Sequence, residues 1–170
     1  MSVKKICSFC VSDWHFVTML MPNIGKKIEN EKVVMLLENE MTQIKNKFLE
    51  KIVLDEKLKN QMEKMNWEKT ICKYEKIDEK ISKNIKKNIN VIVYGSQEYI
   101  DKMNKTIEKW ISKNKGEFEN INIINAYEAM ELNNNLDFIL EKHDKILNTS
   151  GEKNIEDIFQ GYRKNYLNID

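Results

Sequence analysis

The stretch from Lys4 to Pro22, KKICSFCVSDWHFVTMLMP, decides the fold class of this chain. An apolar run from Ile6 to Val11 stops at Ser12 and Asp13, and an amphipathic helix is predicted to begin directly afterwards. In open α/β proteins, ligands bind at such carboxyl ends of strands. The junction has no glycine and no GxxxxGK[ST] pattern, so it lacks the loop that wraps a phosphate. It therefore predicts a ligand site without the usual nucleotide-binding chemistry.

The same alternation of strand and helix continues along the chain. Further strands are predicted at Lys32–Leu37, Thr70–Tyr74, Asn90–Tyr94, Ile121–Ala126 and Lys145–Leu147. Helices are predicted at Asp13–Asn30 (with Pro22 inside it), Met41–Ile52, Asp55–Met65, Glu79–Lys87, Gln97–Lys113, Leu136–Lys142 and Ile155–Tyr166. Continuous apolar strands between helices are typical of a parallel sheet covered on both faces. We therefore expect one three-layer α/β domain over residues 1–170, with a mainly parallel sheet of about five to six strands and with residues 153–170 as a C-terminal helix or tail.

The composition argues against several function classes. The net charge of the 170 residues is +1, and Arg163 is the single arginine among 28 basic residues. Neither value favours binding to nucleic acid or to an acidic membrane surface. No run approaches the roughly 18 apolar residues of a membrane helix, and three cysteines without an export signal indicate a reducing compartment. The sequence therefore predicts a cytoplasmic protein that binds no nucleic acid and no membrane.

A cluster of cysteine and histidine residues near the amino terminus raises the question of a metal. Cys7, Cys10 and His15 could supply three zinc ligands, with Cys72 or His143 as a fourth. However, residues three apart in a strand point to opposite faces of the sheet, so Cys7 and Cys10 cannot bind one ion unless the strand ends before Cys10. Buried core cysteines are the favoured interpretation, and we expect no metal and no cofactor.

Polar and aromatic residues follow the predicted strands where they end, and a parallel sheet brings those ends to one rim. Trp14 and His15 suit the wall of a pocket for an apolar or aromatic ligand. Alternatively, Trp14 closes the sheet edge and His15 is a surface histidine. Ser12 and Asp13 are most plainly the N-cap of the helix, whose free N–H groups could also face a ligand. His143 is assigned a structural role against a helix C-terminus. The candidate ligand-binding residues are Ser12, Asp13, Trp14, His15, Glu38, Tyr94, Ser96, Tyr127 and Glu128. No nucleophile–base pair is visible, so no catalytic residue is predicted.

The chain has three regions, Ile6–Asn39, Val91–Trp110 and Ile121–Gly151, that together resemble a known family. This family is the MEDS domain, a sensory domain named for methanogens, methylotrophs and the dichloromethane regulator. Ile6–Asn39 is similar to the family's strand, Ser/Asp turn, proline-containing helix and second strand. Val91–Trp110 resembles its central strand, glycine and helix, and Ile121–Gly151 resembles its strand ending in tyrosine and helix ending in histidine. The chain departs from the family at Lys5, where members often have histidine.

The resemblance implies a RecA/KaiC-like core that has lost its phosphate loop. It implies a non-catalytic sensory or regulatory role, in which a small organic molecule binds at the carboxyl rim and the signal passes to a protein partner or through self-association. Ile155–Tyr166 is the candidate moving or partner-contacting segment, because chain ends are often the least tied-down parts. The alternatives are a protein–protein interaction module with a vestigial pocket, such as a sigma-pathway regulator, and a degenerate nucleotide-binding enzyme.

Overall fold

The computed structural model describes residues 1–25, 27, 30–82, 87–132, 135–160 and 162. The strands are β1 (Ser2–Cys10), β2 (Lys32–Leu37), β3 (Asn88–Gly95), β4 (Asn120–Glu128), β5 (Lys145–Asn148) and β6 (Gly151–Lys153). The helices are α1 (Asp13–Ile24), α2 (Thr42–Lys51), α3 (Glu56–Lys64), α4 (Tyr74–Ser82), α5 (Gln97–Lys113), α6 (Leu136–Glu141) and α7 (Ile155–Ile158), with one turn of 3₁₀-helix at Ala129–Glu131.

The strands form one six-stranded sheet in the order β2-β3-β4-β1-β5-β6. Strands β1 to β5 run parallel, and β6 pairs antiparallel with β5. The predicted three-layer, mainly parallel α/β architecture of the RecA-like or Rossmann-like type is therefore confirmed. Because the five parallel strands end on the same side, that side is called the carboxyl end of the sheet.

Helices cover both faces of the sheet, and each face has its own apolar core. The α1 face is covered by α1, α2 and α3 and buries Phe16, Phe48 and Met62, whereas the α5 face is covered by α4, α5, α6 and α7. Side chains along each strand alternate between the two faces. Cys7 is buried on the α5 face and Cys10 on the α1 face, which confirms the prediction that both are core residues on opposite faces.

Two pairs of asparagines join β3 to β4 near the amino ends of the two strands. Asn88 lies opposite Asn120 and Asn90 opposite Asn122 in the sheet register. The Asn120 amide donates to the Asn88 side-chain oxygen at 2.9 Å, and the Asn122 amide donates to that of Asn90 at 3.0 Å. Asn90 is itself buried and also donates to the Glu31 carboxylate. Each of these asparagine side chains is thus bonded to the residue directly opposite it on the neighbouring strand.

Two predicted elements between β2 and β3 are wrong. Thr70–Tyr74 is not a strand: only Lys69 makes an isolated bridge to Leu37, and Tyr74 already begins α4. The helix predicted at Glu79–Lys87 begins earlier, at Tyr74, and its described part ends at Ser82, with residues 83–86 outside the described part of the chain. The reason is apolar spacing: Ile77 and Ile81 are the buried positions of this helix, and Ile77 precedes the predicted start.

The other boundaries differ in detail. Helix α1 ends at Ile24 rather than Asn30, although Pro22 does lie inside it. The terminal helix α7 covers only Ile155–Ile158 of the predicted Ile155–Tyr166, and residues 161 and 163–170 are outside the described residues. No helix among the described residues has the length and apolar character needed to span a membrane.

Candidate functional site

On the α1 face, the carboxyl end of the sheet is a set of polar groups that bond to one another. The Tyr94 hydroxyl donates to Asp13 Oδ1 at 2.8 Å, and the Tyr94 ring stacks on Phe16 with a 4.0 Å centroid separation. Ser12 caps α1, because its hydroxyl oxygen accepts the backbone N–H of His15 at 3.1 Å. Ser12 therefore caps α1, and Asp13 joins the start of α1 to the end of β3.

Glu38, Ser96 and Gly95 form a second tight arrangement beside it. The Glu38 carboxylate accepts the backbone N–H of Ser96 at 2.6 Å and its hydroxyl at 3.0 Å. Ser96 also caps α5 by accepting the N–H of Tyr99. Gly95 is needed for this close approach, since a Cβ atom there would lie 2.6 Å from Glu38 Oε2. The Glu38 carboxylate is thus engaged with the start of α5.

The electrostatics of this region disfavour an anionic ligand. Burial raises the pKa of the Glu128 carboxyl, and the nearby carboxylates of Glu38 and Asp13 raise it further. Burial also raises the pKa of the Cys10 thiol to about 12, with Asp13 and Glu128 adding to the effect. An added phosphate or carboxylate would face these same charges.

Trp14 and His15 are both half-buried, and each already has a partner within the protein. The Trp14 ring packs against Phe48 of α2 with centroids 5.2 Å apart. The His15 Nδ1 accepts the backbone N–H of Val11 at 3.1 Å. Their neighbour Phe16 is fully buried. Trp14 therefore contributes to the packing of α1 against α2, and His15 stabilises the turn after β1.

Tyr127 lies on the α5 face, on the other side of the sheet from Tyr94 and Phe16. It is 2% exposed and belongs to the α5-face core, where its ring stacks on Phe9 with centroids 5.8 Å apart. Burial raises the pKa of the Tyr127 hydroxyl, and the nearby Asp101 carboxylate adds to that rise. The hydroxyl has no hydrogen-bond partner among the described residues. Of the nine predicted ligand-binding residues, Tyr127 alone lines the cleft described next.

This cleft, called the Tyr127 cleft, has a volume of about 480 Å³ and lies between α5 and the segment from α6 to β5. Its volume is within the range of small-molecule sites. The residues that line it are Lys5, Asp101, Asn104, Lys105, Glu108, Asn125, Tyr127, Phe138, Lys142 and His143.

The floor of the cleft is a hydrogen-bonded network of Asn104, Asn125 and His143. The Asn104 amide donates to Asn125 Oδ1 at 2.8 Å, and the Asn125 amide donates back to Asn104 Oδ1 at 3.2 Å. The Asn125 amide also contacts His143 Nε2 at 2.9 Å, while His143 Nδ1 lies 2.6 Å from the Ile139 carbonyl oxygen. We assign the proton to Nδ1, because a carbonyl can only accept. Burial lowers the pKa of His143 to about 4, so the ring is neutral.

Charged groups surround this floor. At one end the Lys5 ammonium forms an ion pair with Glu108 at 2.8 Å. Lys142 lies over the Phe138 ring, 3.7 Å from its centroid. The half-buried Asp101 and the exposed Lys105, one turn apart on α5, have no ion-pair partner among the described residues. The cleft therefore combines neutral polar groups at its base with charges of both signs.

Sequence reasoning missed the floor of this cleft. It assigned His143 to a structural role, and the bond from Nδ1 to the Ile139 carbonyl at the end of α6 agrees with that role. It did not place Asn104 or Asn125 in a site. One signal was present: Asn125 interrupts the apolar run INIINAY of β4 at a position whose neighbours on the same face, Ile123 and Tyr127, are core residues.

Among the described residues, no group of three or more His, Cys, Asp or Glu side chains is arranged to hold a metal ion. In the comparisons with known proteins, no family model, no curated protein and no solved structure matches this chain.

Proposed function

We propose that this chain is a non-catalytic sensory or regulatory domain that binds a small organic molecule in the Tyr127 cleft and signals to a protein partner. One observation carries the proposal. The cleft has a prebuilt polar floor at Asn104, Asn125 and His143, and beside it the Tyr127 hydroxyl has no hydrogen-bond partner among the described residues. This hydroxyl opens into the cleft, so a polar group of a ligand can pair with it there.

The chemistry of the cleft favours binding over turnover. Both nitrogens of His143 are engaged, one with Asn125 and the other with the Ile139 carbonyl, so the ring is poorly placed to take a proton from a substrate. The described residues that line the cleft include no serine, threonine or cysteine that could act as a nucleophile.

An aromatic chain offers a route from the cleft to the C-terminal segment. Phe9 stacks on Tyr127 on one side and meets the Phe159 ring edge-on at 6.4 Å on the other. Phe159 directly follows α7, which is anchored by the buried Ile155. A ligand that shifts the Tyr127 ring would therefore bias how this segment packs, and a partner that prefers one arrangement would sense the ligand.

An interaction module is the second candidate, because the carboxyl end of the sheet exposes apolar side chains. Val11 is 70% exposed and Met130 is 86% exposed, and they follow the neighbouring strands β1 and β4. Exposed apolar groups at the same end of the sheet offer a surface for contact with another protein. A degenerate nucleotide-binding enzyme fits less well, since the carboxylates of Asp13, Glu38 and Glu128 oppose a phosphate there.

A matched pair of tyrosine variants tests the proposal. Native mass spectrometry of the gently purified protein, followed by a thermal-shift screen of nucleotides and small organic compounds, should find a stabilising compound. Tyr127→Phe should abolish most of that stabilisation, whereas Tyr94→Phe, which removes the hydroxyl on the other face, should leave it intact. Stabilisation that depends on Tyr94 and not on Tyr127 would move the site to the α1 face. If no compound stabilises the protein, the result contradicts ligand binding and favours the interaction module.

A further inference from the structure

We infer that the ligand of the Tyr127 cleft is a small amino-acid-like zwitterion, with its ammonium group toward Asp101 and the asparagine floor and its carboxylate toward Lys105 and Lys142. This inference rests on the proposed function and names the ligand class of the same site. It follows from counting which hydrogen-bonding groups the protein has left over in the cleft.

The floor has only acceptors to offer a ligand. Each asparagine amide has two N–H groups: those of Asn104 donate to the Ile100 carbonyl and to Asn125, and those of Asn125 donate to Asn104 and His143. Each side-chain oxygen accepts one of these bonds and keeps a second lone pair. The His143 nitrogens are both engaged. A group that binds to this floor must therefore donate hydrogen bonds.

Asp101 adds a negative charge to the same end of the cleft. It is half-buried on the first turns of α5, close enough to Tyr127 to influence that hydroxyl, and it has no ion-pair partner among the described residues. Acceptor oxygens beside a carboxylate and a phenolic hydroxyl match an ammonium group, which carries three N–H donors and a positive charge.

The outer wall of the cleft has the opposite character. Lys105 and Lys142 are both exposed and stand on its two sides, one on α5 and the other just after α6. Lys5 is already neutralised by Glu108, so it closes one end and contributes little to binding. Two ammonium groups at the entrance match a carboxylate on the part of the ligand that faces solvent.

The rings of Tyr127 and Phe138 give the cleft an apolar wall between these charges. A ligand with an ammonium group, a carboxylate and an apolar body would meet every one of these features. A simple anion would leave Asp101 and the floor oxygens facing its charge, and a simple cation would leave the two lysines without a counter-ion.

Three probes with the same phenethyl body separate these possibilities: L-phenylalanine as the zwitterion, phenethylamine as the cation and 3-phenylpropanoate as the anion. Dissociation constants are measured by titration calorimetry, and ¹⁵N chemical shifts of the Asn104 and Asn125 side-chain amides report whether a probe occupies the cleft. We expect L-phenylalanine to bind at least about tenfold more tightly than either single-charge probe.

Charge-removing variants then assign each end of the ligand. Asp101→Asn should weaken L-phenylalanine and phenethylamine by about tenfold and leave 3-phenylpropanoate unchanged. Lys105→Gln should weaken L-phenylalanine and 3-phenylpropanoate and leave phenethylamine unchanged. Lys109→Gln, an exposed lysine on the same helix outside the cleft, is the matched control and should change none of the three.

The failures of the two proposals are distinguishable. If all three probes occupy the cleft with equal affinity, or if 3-phenylpropanoate binds best, the zwitterion inference is overturned while ligand binding stands. If none of the probes shifts the floor amides but the broader screen yields a compound that depends on Tyr127, the inference is again overturned and the proposed function stands. If neither experiment yields a Tyr127-dependent ligand, both proposals fail.

Discussion

Tyr94 and Tyr127 end neighbouring strands and meet different fates. Tyr94 pairs with Ala126 and Tyr127 with Gly95 in the β3–β4 register, so the two rings are one residue out of step and point to opposite faces. On the α1 face the Tyr94 hydroxyl bonds to Asp13, whereas on the α5 face the Tyr127 hydroxyl opens into a cleft. Two similar residues in adjacent strands thus serve packing in one case and an open polar site in the other. The position of a residue at a strand end therefore does not decide its role. The role depends on which hydrogen-bond partners the side chain finds on its face of the sheet.

The largest contrast between the two faces should appear in stability. Phe16 is fully buried and stacks on Tyr94, so Phe16→Ala should lower the free energy of unfolding by about 3–5 kcal/mol. Phe138, which is 48% exposed at the cleft, should cost about 1 kcal/mol or less when changed to Ala. Urea unfolding measures both. Equal losses would show that the cleft wall is as much a part of the core as the Tyr94 region.

Acidification should destabilise the α5 face through His143. Burial lowers the pKa of this ring from 6.5 to about 4, so the unfolded chain binds a proton that the folded protein resists. The contribution of the neutral His143 ring to the free energy of unfolding is fully present above pH 6.5. It is lost as the pH falls toward 4, and the loss amounts to at most about 3 kcal/mol.

Carboxylates also titrate at acidic pH, so the part of the pH dependence that comes from His143 is obtained by comparison with a variant that lacks this ring. His143→Gln should flatten the unfolding free energy between pH 6.5 and pH 4 relative to the unchanged protein, although it also lowers stability overall. Identical slopes in the unchanged protein and the His143→Gln variant would contradict a buried neutral ring.

Asn125 should matter as a polar partner of its neighbours. Asn125→Leu leaves Asn104 and His143 Nε2 without that bond in a buried site, so we expect a loss of about 1–3 kcal/mol in the free energy of unfolding. Asn120→Leu is the control, since its bond to Asn88 is exposed, and it should cost about 0.5 kcal/mol. An Asn125→Leu variant as stable as the unchanged protein would show that the floor network does not contribute to the free energy of unfolding.

The smallest expected effect is a gain on the α1 face. Glu128 is partly exposed near the carboxylates of Asp13 and Glu38, so Glu128→Gln should relieve repulsion and raise stability by about 0.5 kcal/mol at neutral pH. The gain should shrink in concentrated salt, which screens the charges. Glu117→Gln, changed on an exposed loop, should produce no such gain, and a loss of stability in Glu128→Gln would show that this carboxylate has a bonding role.

The architecture was largely readable from apolar runs, because parallel strands buried on both faces leave continuous apolar segments. β6 was missed since Gly151, Glu152 and Lys153 carry no apolar pattern, and it pairs only through the turn after β5. The strand predicted at Thr70–Tyr74 rested on a short run of mixed residues. Among the described residues, the only strand-like contact there is an isolated bridge between Lys69 and Leu37.

The site was readable only as a location. Strand ends correctly indicated where Asp13, Tyr94 and Tyr127 lie along the sheet, but the face each occupies depends on register between strands, which the sequence does not display. The meeting of Asn104 with Asn125 and His143 depends on how α5 and α6 pack over β4. Spacing within one element carries no information about such contacts between elements.

The paired asparagines of β3 and β4 have a consequence for how the chain finds its register. Slipping these two strands by one residue would set Ile89 opposite Asn120, break both amide bonds and move every side chain of one strand to the other layer. Because β3 is otherwise a run of similar aliphatic residues that could slide with little loss, the amides make the slipped alignments unfavourable during assembly. The same asparagines thereby favour the register in which Tyr94 and Tyr127 end on opposite sides of the sheet.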